Sequence, residues 1–268
     1  MSELEKLRVV AGYEFLKHIR RKRLYVIFGL TLAAELAVLI GMPTLMDGYP
    51  NSVRVMAAML SIGPSLATIG AVFFAGDAIA GEFESKTGYI LFTNPIRRIT
   101  LIAGKYLACC AAVILLVIFG YVIVSISLAV IYGEVPIETA KSFGLCLLFA
   151  GSVLSVTFFF SSLSKGSMGA TVITLLCIMV IFPIIDSVLM MANKPHWFML
   201  STAGDSVATV YGGYEIFLEG VVPTGGMDGM LPFELSTPNI GLMVLAMVIY
   251  LVAGLALSFL ISRRRQLA

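Results

Sequence analysis

Charge is scarce in this chain: Asp, Glu, Lys and Arg make up 13% of its 268 residues, against an apolar fraction of 59%. With a mean hydropathy of +0.98, this composition excludes a soluble globular domain, whose core always leaves much of the chain facing water. Histidine is scarcer still, with only His18 and His196. Two isolated imidazoles supply neither an H-E-x-x-H zinc motif nor a nucleophile with its base, and no apolar run carries two acids facing each other, which argues against an intramembrane enzyme. Cys109, Cys110, Cys146 and Cys177 all fall inside apolar runs, where cysteine is a small packing residue rather than a disulfide or zinc framework. The 14 methionines read as core filler, not a copper site. No G-x-x-x-x-G-K-[ST] occurs. Ala103-Gly104-Lys105 lacks the upstream glycine and is followed by Tyr106, so no phosphate cradle for ATP is present. A net charge of +2 does not suggest nucleic acid. The N-terminus lacks a short apolar core followed by a small-residue cleavage site, so the first apolar run is expected to stay in the mature protein.

What the chain has is apolar length. A spanning helix needs about 20 apolar residues, and six such windows are found, at roughly 24–46, 54–80, 104–132, 142–163, 168–191 and 240–262. The expected fold is an all-α integral membrane protein: one membrane domain over 1–268, with six transmembrane helices, an N-terminal interfacial amphipathic helix and a cytoplasmic coupling helix. Over 3–23, Leu4, Leu7, Ala11, Phe15 and Ile19 share one helical face, and Glu3, Lys6, Glu14, Lys17 and Arg21 the other. That pattern predicts a helix lying in the interface and ending in the basic cluster Arg20 to Arg23. Pro64 is placed to kink the second span and Pro183 lies toward the far end of the fifth.

Lys and Arg accumulate on the cytoplasmic side of short loops. With both termini inside, 15 of the 18 fall on that side, and only Arg54, Lys141 and Lys194 lie outside. The expected location is the cell membrane, multi-pass, with N- and C-termini cytoplasmic. Residues 192–239 form a longer outer loop whose stretch SVATVYGGYEIFLEG is too broken by glycine to span, and which is expected to cap the outer end.

Between the second and third spans lies a charge-dense island, with 81–103 as its cytoplasmic segment. Phe83, Thr87, Ile90 and Leu91 fall on one helical face, Glu82 and Glu84 precede them, and Asn94-Pro95 stops the helix before Arg97-Arg98. A short helix with an apolar face, acid before it and base after it, suits docking into a partner's groove. The island resembles the segment after the second span of ABC-2 type permeases, the membrane subunits of ATP-binding cassette exporters. That segment typically reads I-x-x-E-x-E-x-G-T-L, then a proline, an arginine three residues on and Gly-Lys nine and ten on. Ile79, Glu82, Glu84, Thr87, Pro95, Arg98, Gly104 and Lys105 occupy those places, while Lys86 and Gly88 depart from the pattern.

The resemblance implies a permease that couples ATP hydrolysis by a separate nucleotide-binding subunit to substrate translocation between two protomers. The chain itself then carries no ATPase site and no cofactor, since ATP and Mg are bound by the partner subunit. It implies a coupling helix, with Glu82, Glu84, Thr87, Ile90, Leu91, Pro95 and Arg98 facing that subunit, and a second copy or a homologous permease completing the dimer.

Glu35 lies near the middle of the first span, where an ionised side chain costs roughly 2.5 to 3.5 kcal/mol on insertion scales. It either lines the transport path, pairs across the dimer, or is a neutral glutamic acid hydrogen-bonded between helices. Asp77 is expected to belong electrostatically with Arg97, Arg98 or Lys105, and Asp186 to reach water. Ser152, Ser155, Thr157, Ser161, Ser162 and Ser164 in the fourth span, with Gly144 and Gly151, predict close helix packing. Two further functions fit the residues. One is a secondary transporter with ion coupling through Glu35, although one central charge and no evident repeat argue against it. The other is an ATP-driven mechanotransmission subunit acting through the outer loop.

Overall fold

The computed structural model of the chain describes residues 2–20, 22–45, 48–84, 98–212 and 239–264. Among these the regular structure is helical, with no strand. Helix α1 (Glu3–Arg20) leads into the first span, α2 (Lys22–Leu45). The second span comes in three pieces, α3 (Val53–Met59), α4 (Gly63–Ala75) and α5 (Ala80–Glu84). The third is α6 (Arg98–Tyr132) and the fourth α7 (Glu138–Leu163). The fifth consists of α8 (Ser167–Leu176), a π turn (Cys177–Ile181) and α9 (Phe182–Met191). A short α10 (Leu200–Thr209) precedes the sixth span, α11 (Ile240–Arg264). The six stretches are each long and apolar enough to cross a membrane.

Proline shapes the second and fifth spans in different ways. Gly63-Pro64 does not kink a continuous helix; it opens a new one, because the fixed φ and missing N–H of proline suit a first helical turn. The chain between α3 and α4 tightens into short-range bonds, Ser61 N to Ala58 O at 3.1 Å and Ile62 N to Leu60 O at 2.8 Å. In the fifth span the chain stays helical through Pro183 by shifting register. The Phe182 N–H donates to Cys177 O, five residues back, forming the π turn just ahead of the proline.

Helix α7 is the hub, packed against α4, α6, α10 and α11. Its small polar residues let other backbones approach: Ser152 Oγ lies 2.8 Å from Met247 O, and Ser155 Oγ 2.9 Å from Tyr250 O, both on α11. At Gly254 a Cβ would come within 2.8 Å of the Ser155 backbone, so only glycine allows this approach. Ser161 accepts hydrogen bonds from the amides of Ile79 and Ala80 at 3.1 and 3.2 Å, satisfying donors at the start of α5 that a broken helix leaves free. Ser152, Ser155 and Ser161 of the fourth span therefore serve close packing, whereas Gly144 faces open space among the described residues.

Helix α1 packs along the first turns of α6. At 35 residues, α6 is about 52 Å long, well beyond the ~30 Å hydrocarbon core, and its early turns provide the surface on which α1 rests. Val10 sits against Gly104, where a Cβ would meet its side chain at 2.6 Å. The packed face of α1 keeps Leu7, Ala11, Phe15 and Ile19 of the apolar stripe, all half-buried, but leaves Leu4 76% exposed and widens to take in Glu14, half-buried, and His18, buried. The reason is the surface it meets, which carries Lys105 and Cys109 rather than hydrocarbon alone. At the opposite end, α10 packs on α7 and α3, with Gly204 against Phe149 and the Val207 carbonyl accepting from Ser142 at 2.8 Å. Burial is uneven: 56% of the most apolar window is buried in the second and fourth spans, 17% in the first and 11% in the fifth. The first and fifth spans present broad apolar faces suited to lipid.

Candidate functional site

Two sites emerge, one at the end of the bundle that carries α1 and one inside it. At the first, Lys105 is 3% exposed and its Nζ lies 2.7 Å from both Glu14 Oε1 and Glu82 Oε1. Lys17 adds weaker pairings, 3.5 Å to Glu14 and 4.0 Å to Glu82. The site therefore joins α1, α5 and α6 through one buried ammonium between two carboxylates. Arg23, at the start of α2, pairs with Asp77 at 3.0 Å. Asp77 thus finds a cation from the first span, whereas Lys105 is turned toward the glutamates. Glu84 accepts from the Ser167 amide at 2.8 Å at the start of α8, and hydrogen bonding by Ser167 holds its carboxyl below the usual range. Beside Lys105, His18 stacks edge-on against Phe74 with ring centroids 5.6 Å apart, and its Nε2 lies 3.5 Å from Cys109 Sγ. A cleft of about 530 Å³ opens among these groups, lined by Glu14, Lys17, Asp77, Glu82 and Lys105.

The second site surrounds Glu35. Its side chain is 1% exposed and its Oε2 has no hydrogen-bond partner among the described residues. It lines a small cavity of about 20 Å³ between α2, the break in the second span and α6, together with Thr31, Ser61, Gly63, Gly120 and Tyr121. By the usual measure this space holds a single water-sized particle. The Thr31 hydroxyl donates to Ile27 O at 2.9 Å and the Ser61 hydroxyl to Ala57 O at 2.8 Å. Tyr121 and Ser142 are 2.7 Å apart; since Ser142 donates to Val207 O, the phenol donates to Ser142.

Of the residues read as a partner-facing helix, Glu82 and Glu84 are tied inward, to Lys105 and Ser167. Arg98 is the first residue of α6. Thr87, Ile90, Leu91 and Pro95 lie outside the described residues, as do Arg97 and residues 213–238 of the outer loop. Asp186 does not depend on water: it accepts from Ser201 Oγ at 2.7 Å and Thr202 Oγ1 at 2.6 Å, in the first turn of α10, where a carboxylate complements the helix dipole. Spacing gave Glu14 and His18 no such role. A Glu and a His four apart beside a stripe of apolar residues was the available signal.

Six apolar spans, a hub helix lined with small residues and a charged junction at one end define a multi-pass membrane protein with no strand among its described residues. Residues 12–200, well over half of the chain, match the family model of ABC-2 family transporter protein, and the chain belongs to that family: it is a membrane permease of the ABC transporter type. No curated protein matches the chain.

Proposed function

We propose that this chain is the transmembrane subunit of an ABC exporter, working as a dimer with a second permease copy or a homologue. It takes its energy from a separate nucleotide-binding subunit that binds ATP and Mg. Both termini lie on the cytoplasmic side of the cell membrane. The coupling helix falls within 81–103, where Ile90, Leu91 and Thr87 form the face for the ATPase subunit, while Glu82, Glu84, Pro95 and Arg98 fix its ends. Closure of two ATP-bound partners would move these helices together and pass the motion to the spans.

The observation that carries this reading is the double clasp of Lys105. Glu82 enters the coupling segment and Lys105 follows it, so the segment's two ends are held to each other and to α1. Glu84 adds a direct bond to α8. A push on the segment therefore reaches four elements at once. The test is a mild-detergent purification of the tagged chain with identification of what co-purifies and an ATPase assay. A stoichiometric ATP-binding subunit, lost on Ile90→Asp or Leu91→Asp, is expected. A monodisperse chain without such a subunit would instead favour a secondary transporter with ion coupling at Glu35, a reading that draws on the buried carboxylate described above.

A further inference from the structure

Four buried side-chain oxygens lack a hydrogen-bond partner among the described residues, those of Glu35, Thr139, Tyr211 and Ser262. Glu35 Oε2 faces the small cavity. Tyr211, whose hydroxyl is unpartnered, packs with Leu60 and Val124, which also line that cavity. Thr139 Oγ1 lies on the far side of Tyr121, in a wider groove that Tyr121 also lines. The carboxyl of Glu35 most needs a cause, because a buried orphan costs desolvation without return and a charged one costs most.

The chemistry of the cavity wall supplies one. Thr31, Ser61 and Tyr121 all spend their hydroxyl hydrogens elsewhere, on Ile27 O, Ala57 O and Ser142 Oγ. None of the three therefore has a hydroxyl hydrogen left for Glu35, whose carboxyl shares the cavity wall with them and with apolar residues. No Lys, Arg or His lines the space; Tyr121, from α6, is the one other titratable side chain there, and the α3–α4 break contributes Ser61 and apolar residues but no charge. A buried carboxylate midway along an apolar span, in a cavity of otherwise apolar residues and three hydroxyls with no hydrogen to spare, favours a particle that carries one positive charge. Its volume of about 20 Å³ limits that particle to the size of a water molecule. Tyr121 lines both this cavity and a wider apolar groove of about 540 Å³.

We propose that Glu35, Thr31, Ser61 and Tyr121 form a binding site for one small monovalent cation, sodium or hydronium, buried at the break in the second span. The shared chemistry is a single positive charge held by a carboxylate and three hydroxyl oxygens, leaving the occupied site neutral. Four oxygen ligands suit a hard cation. Hydronium in the same position is equivalent to glutamic acid hydrogen-bonded through a water to the hydroxyls. The inference concerns the chain alone and does not depend on coupling to an ATPase.

The experiment uses the purified full chain in nanodiscs. Thermal unfolding is followed while sodium chloride replaces N-methylglucamine chloride at constant ionic strength, at two pH values either side of neutrality. Sodium-22 retention is measured in parallel. A ligand bound by the folded state alone raises the midpoint as its concentration rises. A saturable rise with sodium and retention of one ion per chain assigns sodium. A rise as pH falls, without retention, assigns hydronium. In either case Glu35→Gln removes the response. Should that variant fail to fold, Ser61→Ala and Tyr121→Phe are each expected to weaken the apparent affinity several-fold in the wild-type carboxylate background. A midpoint indifferent to both sodium and pH overturns the proposal, as does a response that Glu35→Gln, or both hydroxyl variants, leave unchanged.

Discussion

Lys105 and Glu82 meet at 2.7 Å across the segment that separates the second span from the third, and the same ammonium holds Glu14 of α1 at the same distance. With the lysine 3% exposed and the two carboxylates 17% and 21%, the group is shielded enough for its geometry to matter. Removing one member of a buried pair strands its partner, which costs more than the pair itself contributes. Lys105→Met is expected to destabilise the protein by about 3 kcal/mol, read from thermal unfolding in nanodiscs. Adding Glu14→Gln and Glu82→Gln to that variant should recover most of the loss. Three variants whose effects simply add would show that the carboxylates do not depend on the lysine.

A second expectation concerns pH. The carboxyl of Glu84 is held below its ordinary range by Ser167, so the folded state favours its ionised form. Stability from this contact is present above the unfolded carboxylate value and is lost as pH falls through the depressed folded one. Protection from hydrogen exchange over residues 165–171, corrected for the intrinsic slowing of amide exchange in acid, should therefore be strong at neutral pH and weaken as pH falls. Glu84→Gln should weaken it at neutral pH already. Equal exchange in both proteins across the range would deny the contact.

Packing gives a third. Because a Cβ at Gly254 would come within 2.8 Å of the Ser155 backbone, Gly254→Ala must push α11 away from α7. Overpacking of this kind costs about 1 to 3 kcal/mol. Gly144→Ala in the same hub helix, where nothing lies within 4 Å of the new atom, serves as the control and should unfold at or above the wild-type midpoint.

The fourth follows from the proposed coupling face. Ile90→Asp and Leu91→Asp should leave the chain inserted and folded while abolishing the link between transport and the partner's ATP hydrolysis. Substrate-stimulated ATPase activity at the wild-type level in the reassembled complex would remove these residues from the interface.

Much of the fold was legible in the sequence because bilayer thickness sets a length that apolar runs must match, and six runs matched it. Glu35 was legible for the same reason: a charge in an apolar run stands out against its cost. What spacing could not give was partner choice. Asp77 is expected with Arg97, Arg98 or Lys105; Lys105 turns instead to Glu14 and Glu82, and Arg23, which the start of α2 brings to the same end of the bundle, pairs with Asp77. Glu14 sits among charged neighbours on a helical projection, and only the early turns of α6 make it a half-buried partner for Lys105. The Gly63-Pro64 pair signalled a break as clearly as a kink. Deciding between them took Ser61 and Ile62, whose amides bond at short range rather than continuing the helix. Pro183 carried a signal too, but its outcome, a change of hydrogen-bond register, depends on the neighbouring turn.

Helix α6 carries Lys105 near one end and Tyr121 sixteen positions further on, about 24 Å along an uninterrupted rod. The surface junction and the buried cavity are thus mounted on a single axle. A displacement of that rod as a whole would shift both ends of the relationship together, the ammonium clasped by α1 and the phenol that shares a cavity with Glu35.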